Sequence, residues 1–199
     1  MSSKKKSKGK AYKKKSTMKS LLKPTAGQVL HDATTYPIIQ CLIPADWRNS
    51  GLANVIITRE QPDGRIVFGN FLVDIFCLGV KNCFVKANMT KSEYEAKFLA
   101  PTEEKMGPFV DCDVALAHAV VYGAVDYARS LGFEPHPDYA KCRSFLEPKE
   151  RLGSLPYVEF GKDGKPFYIS GPNDDAEYVL ETLSQNVGEG NYDSMLGIM

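Results

Sequence analysis

The chain has 199 residues, of which 25 are basic and 24 acidic, so its formal net charge is only +1. An apolar content of 43%, with ten Tyr and ten Phe, excludes a chain that is disordered throughout, and the length suits one domain with an extension. The longest apolar run, residues 71–80, is about half of the ~20 residues that a spanning helix needs, and no apolar segment follows the charged start, so neither a membrane span nor a secretory signal is expected.

The near-zero net charge conceals a strong asymmetry at the amino-terminal end. Ten of the first 23 residues are lysine and none is acidic. The lysines are Lys4, Lys5, Lys6, Lys8, Lys10, Lys13, Lys14, Lys15, Lys19 and Lys23. Subtracting them leaves 15 basic residues against 24 acidic ones, so a segment of charge +10 precedes a body of charge −9. We expect residues 1–27 to form a disordered Lys-rich tail, and residues 28–199 to form a single α+β domain.

The first half of the body is rich in β-forming residues. Residues 38–43 are predicted to form a short buried strand. Residues 53–59 and 65–75 are predicted to pair as a β-hairpin, because the Pro-Asp-Gly sequence at 62–64 is typical of a tight turn. The second strand is apolar on both faces, which indicates a central strand covered on both sides. Gly69 within it is interpreted as a bulge.

Helical periodicity follows in the middle of the chain. A short helix is predicted over residues 92–99, ended by Pro101. The strongest helical pattern covers residues 114–131, where apolar residues recur at helical spacing and a glycine follows. Asp111 or Asp113 is the expected cap of this helix, since an aspartate is favoured at a helix amino terminus.

The last third of the sequence predicts both helices and strands. A short helix is expected over residues 136–146, and a final helix over residues 174–186. A second hairpin is predicted between residues 157–160 and 166–169, because Asp163-Gly164 lies between two β-rich runs. Strands, helices, strands and a helix in this order predict an α+β fold, in which antiparallel hairpins form a sheet packed against helices.

The cysteines do not indicate a zinc site. Cys41, Cys77, Cys83, Cys112 and Cys142 are an odd number, widely spaced and without a C-x-x-C pair. Three of them have apolar neighbours, so we interpret the set as small buried hydrophobic residues of a reducing compartment. A reactive cysteine is possible, but the sequence does not indicate which one.

The lysine-rich tail predicts a nucleic-acid-associated binding protein. Ammonium groups on a flexible chain release condensed counterions from a phosphate backbone, and one aromatic ring within the tail can stack on a base. The predicted contact residues are Lys4, Lys5, Lys6, Lys8, Lys10, Tyr12, Lys13, Lys14, Lys15 and Lys19. Lysine reads little sequence, so RNA and DNA both fit, without a cofactor. The acidic body has a possible protein partner, and the expected location is the cytoplasm, nucleoid or nucleus.

Other roles for the tail stay open. It is also compatible with an address signal, with attraction to an anionic membrane surface, or with a solubilising function. A further hypothesis is a protein-interaction module whose basic tail serves only for localisation.

A metal-dependent hydrolase acting on phosphodiesters is the alternative function. Asp74 stands among apolar residues of a predicted strand, where a carboxylate needs a cation or a raised pKa. In this hypothesis Asp74, Asp111 and Asp113 hold Mg²⁺ or Mn²⁺. His118 or His136 then serves as base or proton shuttle.

Structural interpretations of the same residues are favoured. Asp74 can pair with Arg59 or Arg65 or lie near the end of its strand, and the two later aspartates can be simple helix caps. His136 lies between two prolines, which fits either a functional loop or a helix start. We therefore expect binding rather than catalysis.

Overall fold

The structure, a computed structural model, describes residues 24–197. Within them a five-stranded sheet forms the centre of the fold. Its strands are β1 (Ile38–Pro44), β2 (Leu52–Glu60), β3 (Ile66–Asp74), β4 (Gly79–Met89) and β5 (Phe109–Asp111). They lie in the order β4-β3-β2-β1-β5, and each neighbouring pair is antiparallel. The predicted α+β class is confirmed, with the sheet packed against helices.

The helices flank this sheet and connect its strands. They are α1 (Ala26–His31), α2 (Trp47–Ser50), α3 (Lys91–Tyr94), α4 (Ala100–Met106), α5 (Val114–Ser130), α6 (Tyr139–Cys142) and α7 (Ala176–Asn186). Short 3₁₀ turns cover Ala33–Thr35, Arg143–Phe145 and Lys149–Arg151. Among the described residues, no helix combines the length and the apolar character needed to cross a membrane.

Helix α1 begins inside the segment that was assigned to the tail. Thr25 is its N-cap: the hydroxyl accepts a hydrogen bond from the backbone N–H of Gln28, and the Gln28 side chain accepts one from the N–H of Thr25. Of the predicted tail, residues 1–23 lie outside the described residues, whereas Ala26 and Gly27 already belong to the first turn of the helix.

The predicted central hairpin is confirmed. Strands β2 and β3 pair in unbroken register from Leu52 opposite Asp74 to Glu60 opposite Ile66. Gly64 in the connecting turn has a φ of 77°, the left-handed conformation that glycine adopts without steric cost. Strand β3 is almost entirely buried, because helices cover the sheet on both faces.

Gly69 is not a bulge, which corrects the prediction from sequence. It pairs regularly with Ile57 on one side and with Val85 on the other. A β-carbon at this position would lie only 2.6 Å from the ring of Phe145. Glycine is therefore required by the close approach of an aromatic ring to the sheet, and this contact comes from a residue far along the chain.

The main core lies between α5 and one face of the sheet. The predicted apolar stripe of α5 is confirmed, with Ala117, Val120, Val121, Ala124 and Ala128 all buried. The helix ends as predicted: Gly132 has a φ of 95°, and the N–H of Phe133 returns to the carbonyl of Ala128 at 2.9 Å.

The opposite face of the sheet packs against α3 and the turn that connects α3 to α4. The sequence predicted a helix over residues 92–99 that ends at Pro101, but the helical path continues to Met106. A π-helical turn, Glu95–Leu99, joins the two helices. This wider turn precedes a proline that has no N–H to donate, so the helix changes its hydrogen bonding instead of stopping. Phe98 in this turn packs on the ring of Phe68 at 4.4 Å.

The predicted second hairpin is wrong. Residues 157–160 form no strand, although Lys162 and Lys165 form an isolated bridge at the predicted turn. Strand β6 (Phe167–Ile169) pairs instead with β7 (Asp193–Met195), and the two run parallel. The Asp-Gly turn forms locally, but contacts with distant residues decide which strand β6 joins.

Candidate functional site

Asp74 is a buried turn-forming residue at the end of β3. Its Oδ1 accepts hydrogen bonds from the backbone N–H groups of Phe76 and Cys77, at 2.9 and 3.0 Å. Burial raises the pKa of this carboxyl, while these backbone hydrogen bonds act in the opposite direction. No ion pair joins Asp74 to Arg59 or Arg65 in the described part of the chain. The carboxylate thus organises the turn between β3 and β4.

The three aspartates of the hypothetical metal site do not converge. Strands β2 and β1 lie between β3 and β5, so Asp74 and Asp111 are separated by roughly 14 Å across the sheet. Leu42 pairs with both Asp111 and Ile56. Ile56 pairs with Asn70, and from there Asp74 lies roughly 13 Å further along β3. The two carboxylates are therefore much too far apart to share one ion.

The environment of the other two aspartates is also ordinary. The Oδ1 of Asp111 accepts a hydrogen bond from Gln40 at 3.2 Å. Asp113 occupies the N-cap position of α5, but its side chain makes no capping hydrogen bond there. Across residues 24–197, no group of three or more His, Cys, Asp or Glu residues is arranged to hold a metal ion.

His118 is fully buried on α5 and both of its ring nitrogens are engaged. Nε2 accepts the backbone N–H of Glu147 at 3.0 Å, so the ring hydrogen lies on Nδ1, which donates to the carbonyl of Val114 at 2.7 Å. Burial lowers the pKa of His118, and the positive charge of Arg59 acts in the same direction. A neutral imidazole with both nitrogens occupied serves the fold rather than proton transfer to a ligand.

Sequence reasoning missed the polar cluster beside His118. Arg59 is only 1% exposed, and its NH2 donates to Glu147 Oε1 at 2.8 Å and to the carbonyl of Phe145 at 3.1 Å. Its NH1 donates to the carbonyl of Tyr36 at 2.8 Å. Arg59 on β2 therefore binds segments that are distant in sequence. The local signal was an arginine near the end of a largely apolar strand, which does not indicate its partners.

His136 lies in a different environment, on the wall of an open cleft. This cleft has a volume of about 860 Å³ and lies between α5 and residues 134–150. The N–H of Asp138 donates to Nδ1 of His136 at 3.2 Å, so the neutral ring carries its hydrogen on Nε2. His136 is partly exposed, so its ring can contact a ligand in the cleft.

The cleft has mixed charge. Arg129 donates through Nε and NH2 to Glu134, at 3.0 and 2.9 Å, and Lys149 binds Asp126 at 2.9 Å. Arg143 also lines the cleft and has no ion-pair partner within residues 24–197. With acidic and basic groups on the same walls, the cleft has no strong preference for an anionic ligand.

The predicted nucleic-acid contacts, the lysines up to Lys19 together with Tyr12, lie outside the described residues. The place where this segment joins the body is described. The carbonyl of Pro24 accepts a hydrogen bond from Nδ2 of Asn88 at 3.1 Å, near the end of β4.

The surface beside this junction has an exposed aromatic ring and two cations. Phe84 and Lys86 are two positions apart on β4, so their side chains project from the same face of the strand. Phe84 is 36% exposed. Lys86 and Lys91 are exposed and have no ion-pair partner within residues 24–197. We call Phe84, Lys86 and Lys91 the junction surface.

Comparison with protein-family models, with curated proteins and with solved structures finds no match for this chain.

Proposed function

We propose that this protein binds nucleic acid, and that its lysine-rich amino-terminal segment supplies the phosphate contacts. The observation that carries the proposal is the charge of +10 in the first 23 residues, without one acidic residue, joined to a body of charge −9. Such a segment gains free energy by displacing counterions from a polyanion, whereas the body as a whole is repelled by phosphate.

The junction surface supports an extension of this contact onto the body. Phe84 is an exposed ring on which a base can stack, and Lys86 and Lys91 are available for phosphate. These residues lie close to the place where the basic segment leaves the fold. A polynucleotide bound to the segment therefore passes this surface first. The remaining acidic surface is the part of the body suited to a protein partner, and we place the protein in the cytoplasm, nucleoid or nucleus.

The decisive experiment measures affinity against salt concentration. The full-length protein is titrated with a fluorescent single-stranded oligonucleotide and with a duplex of the same length. If all ten lysines engage a duplex, log K falls with log salt with a slope of about −9, and of about −7 for a single strand. A full-length variant with the ten lysines changed to glutamine should lose most of this slope.

Matched substitutions on the body test the junction surface. Lys86→Gln and Lys91→Gln should each reduce the slope by about 1, whereas Phe84→Ala should weaken single-strand binding at constant slope. Lys162→Gln and Lys165→Gln are the controls. These two lysines lie by the β3–β4 turn, roughly 30 Å along β4 from Asn88. Their substitution should change neither the affinity nor the slope. Equal affinity and slope for the wild type and the ten-glutamine variant would reject the proposal.

A further inference from the structure

The cleft beside α5 has the size of a small-molecule site. Its volume of about 860 Å³ lies within the roughly 300–1,000 Å³ that is typical of pockets for small ligands. On the α5 wall, Tyr122, Val125 and Arg129 line the cleft and share one face of the helix, because they are three and four positions apart. Tyr122 and Val125 are buried side chains, so this wall offers an aromatic ring and an aliphatic group to the apolar part of a ligand.

The opposite wall presents three polar side chains on successive turns of the chain around α6. The N–H of Arg143 donates to the carbonyl of Tyr139, so these two residues lie one helical turn apart. His136 precedes them by one tighter turn, because the N–H of Tyr139 donates to the carbonyl of His136 at 2.8 Å. All three residues line the cleft. Side chains three and four positions apart are neighbours on a helix surface, so these three can contact one ligand.

Each of these three groups has a hydrogen to donate and no acceptor for it within residues 24–197. This holds for the guanidinium of Arg143, for Nε2 of His136 and for the hydroxyl of Tyr139. Tyr139 is only 6% exposed, but its hydroxyl is not one of the enclosed polar atoms without a partner, as that of Tyr168 is. The hydroxyl is therefore open to the cleft. Burial raises the pKa of Tyr139 to about 12, so the hydroxyl keeps its hydrogen at neutral pH.

The charges of the cleft limit the ligand to one negative charge. Its other two basic groups are neutralised by the two ion pairs already described, which leaves Arg143 as the unpaired cation of the described residues. Glu150 also lines the cleft and is exposed, and the Asp138 carboxylate lies 3.8 Å from Nδ1 of His136. Mixed charge gives the cleft no strong long-range attraction for anions, so the short-range donors decide what it holds. A doubly charged group would be repelled by both acids.

We propose that this cleft binds a small organic molecule with a single carboxylate and an apolar body. The carboxylate accepts hydrogen bonds from the Arg143 guanidinium and the Tyr139 hydroxyl, and the ring N–H of His136 donates to an oxygen of the same ligand. The apolar body lies against Tyr122 and Val125. Because the three unpartnered groups are all donors, an amine finds no acceptor among them. The site uses none of the residues assigned to the nucleic-acid contact, so it does not depend on that function.

The first test compares three probes on the full-length wild-type protein. Hydrocinnamate has a phenyl ring and one carboxylate, hydrocinnamamide is its uncharged analogue, and phenyl phosphate has a charge of about −1.5 to −2 at neutral pH. Saturation-transfer NMR measures the three affinities. We expect hydrocinnamate to bind roughly tenfold or more tightly than the amide, because hydrogen bonds to a charged group are the stronger ones. Phenyl phosphate should bind more weakly than hydrocinnamate.

Substitutions in the full-length protein test the donors. Arg143→Gln should weaken the binding of hydrocinnamate roughly tenfold and leave that of the amide nearly unchanged, because only the acid needs a counter-charge. Tyr139→Phe keeps the buried ring and should weaken hydrocinnamate roughly fivefold through the loss of one neutral donor. Arg48→Gln and Tyr178→Phe are the matched controls. Arg48 on α2 and Tyr178 on α7 are exposed and do not line the cleft, so neither change should alter the affinity.

Several outcomes would overturn the proposal. Equal affinity of the wild type for hydrocinnamate and its amide would remove the carboxylate from the contact, and tighter binding of phenyl phosphate would replace it with a phosphate. No binding of hydrocinnamate up to about 10 mM would leave the cleft without this ligand class. An Arg143→Gln variant that binds the acid as tightly as the Arg48→Gln control does would show that the guanidinium has no part in it. The comparison of probes on the wild type decides the matter even if one variant fails to fold.

Discussion

Two polar regions include residues of the segment that follows α5, and they differ in how many of their polar groups already have partners within the protein. In the buried cluster of Arg59, Glu147 and His118, nearly every hydrogen-bonding group has a partner within the protein. In the cleft, His136 and Arg143 remain accessible to a ligand. The comparison teaches that burial and hydrogen-bond partners decide the role of a histidine or charged residue. A buried residue with partners stabilises the fold, whereas an exposed one can contact a ligand.

The largest expected effect comes from Arg59 in the buried cluster. Arg59→Met removes the buried cation beside Glu147, which keeps only its longer 3.7 Å ion pair with Arg151, and it leaves two backbone carbonyls without their donor. We therefore expect the free energy of unfolding to fall by about 3–5 kcal/mol. Urea denaturation measures it. Arg65→Met is the control: its ion pair with Asp63 is partly exposed at 3.7 Å, and the loss should be about 1 kcal/mol or less. Equal losses in the two variants would contradict the distinction.

The next effect concerns His118. His118→Ala removes a buried ring and leaves the N–H of Glu147 unpaired, so the free energy of unfolding should fall by about 2–4 kcal/mol. The experiment is thermal or urea unfolding of the variant beside the wild type.

His118 should also make the stability of the protein depend on pH. The folded-state pKa of His118 lies below its ordinary value of 6.5, so the unfolded chain binds the proton more readily. The stability contributed by neutral His118 is therefore present above pH 6.5 and is lost as the pH falls below that value. His118→Ala should remove this part of the pH dependence. A stability that rises towards acid in the wild type but not in the variant would contradict it.

Asp74 should show a smaller effect that depends on the substitution. Asp74→Ala leaves the N–H groups of Phe76 and Cys77 unpaired, at a cost of about 1–3 kcal/mol. Asp74→Asn keeps an acceptor oxygen and should cost less. Because burial raises the pKa of Asp74, the wild type loses stability as the pH rises through that pKa, and the asparagine variant should not. Equal destabilisation by both substitutions would argue against the turn-forming role.

The smallest effect is expected in the cleft. His136→Ala should change the free energy of unfolding by no more than about 0.5 kcal/mol, because the side chain is partly exposed and bonds only to a neighbouring loop residue. Chemical denaturation of both forms measures it. A loss as large as that of His118→Ala would place His136 among the structural residues and remove the contrast between the two regions.

Local patterns account for much of the observed fold. The Pro-Asp-Gly turn with its two strands, the apolar stripe of α5 and the glycine that ends it were all predicted, because each depends on residues within a few positions of one another. The errors have non-local causes. Strand β6 joins β7 rather than residues 157–160, and Gly69 accommodates the ring of Phe145.

The candidate site residues show the same limit. Sequence reasoning chose Asp74 because a carboxylate is unusual among apolar neighbours, and His118 because it lies on a polar stripe of the main helix. The structure gives each of them backbone partners. It also passed over Arg59, whose partners lie more than 80 positions away in the chain at Phe145 and Glu147. No local pattern contains that information.

The sequence by itself determined the segregation of charge, the central hairpin and the main helix, because charge and short-range periodicity are properties of neighbouring residues. Only the tertiary structure decided that Arg59 meets Glu147 and that the N–H of Glu147 meets His118. These encounters bring together distant positions of the chain, and they depend on how the segment after α5 packs against the sheet.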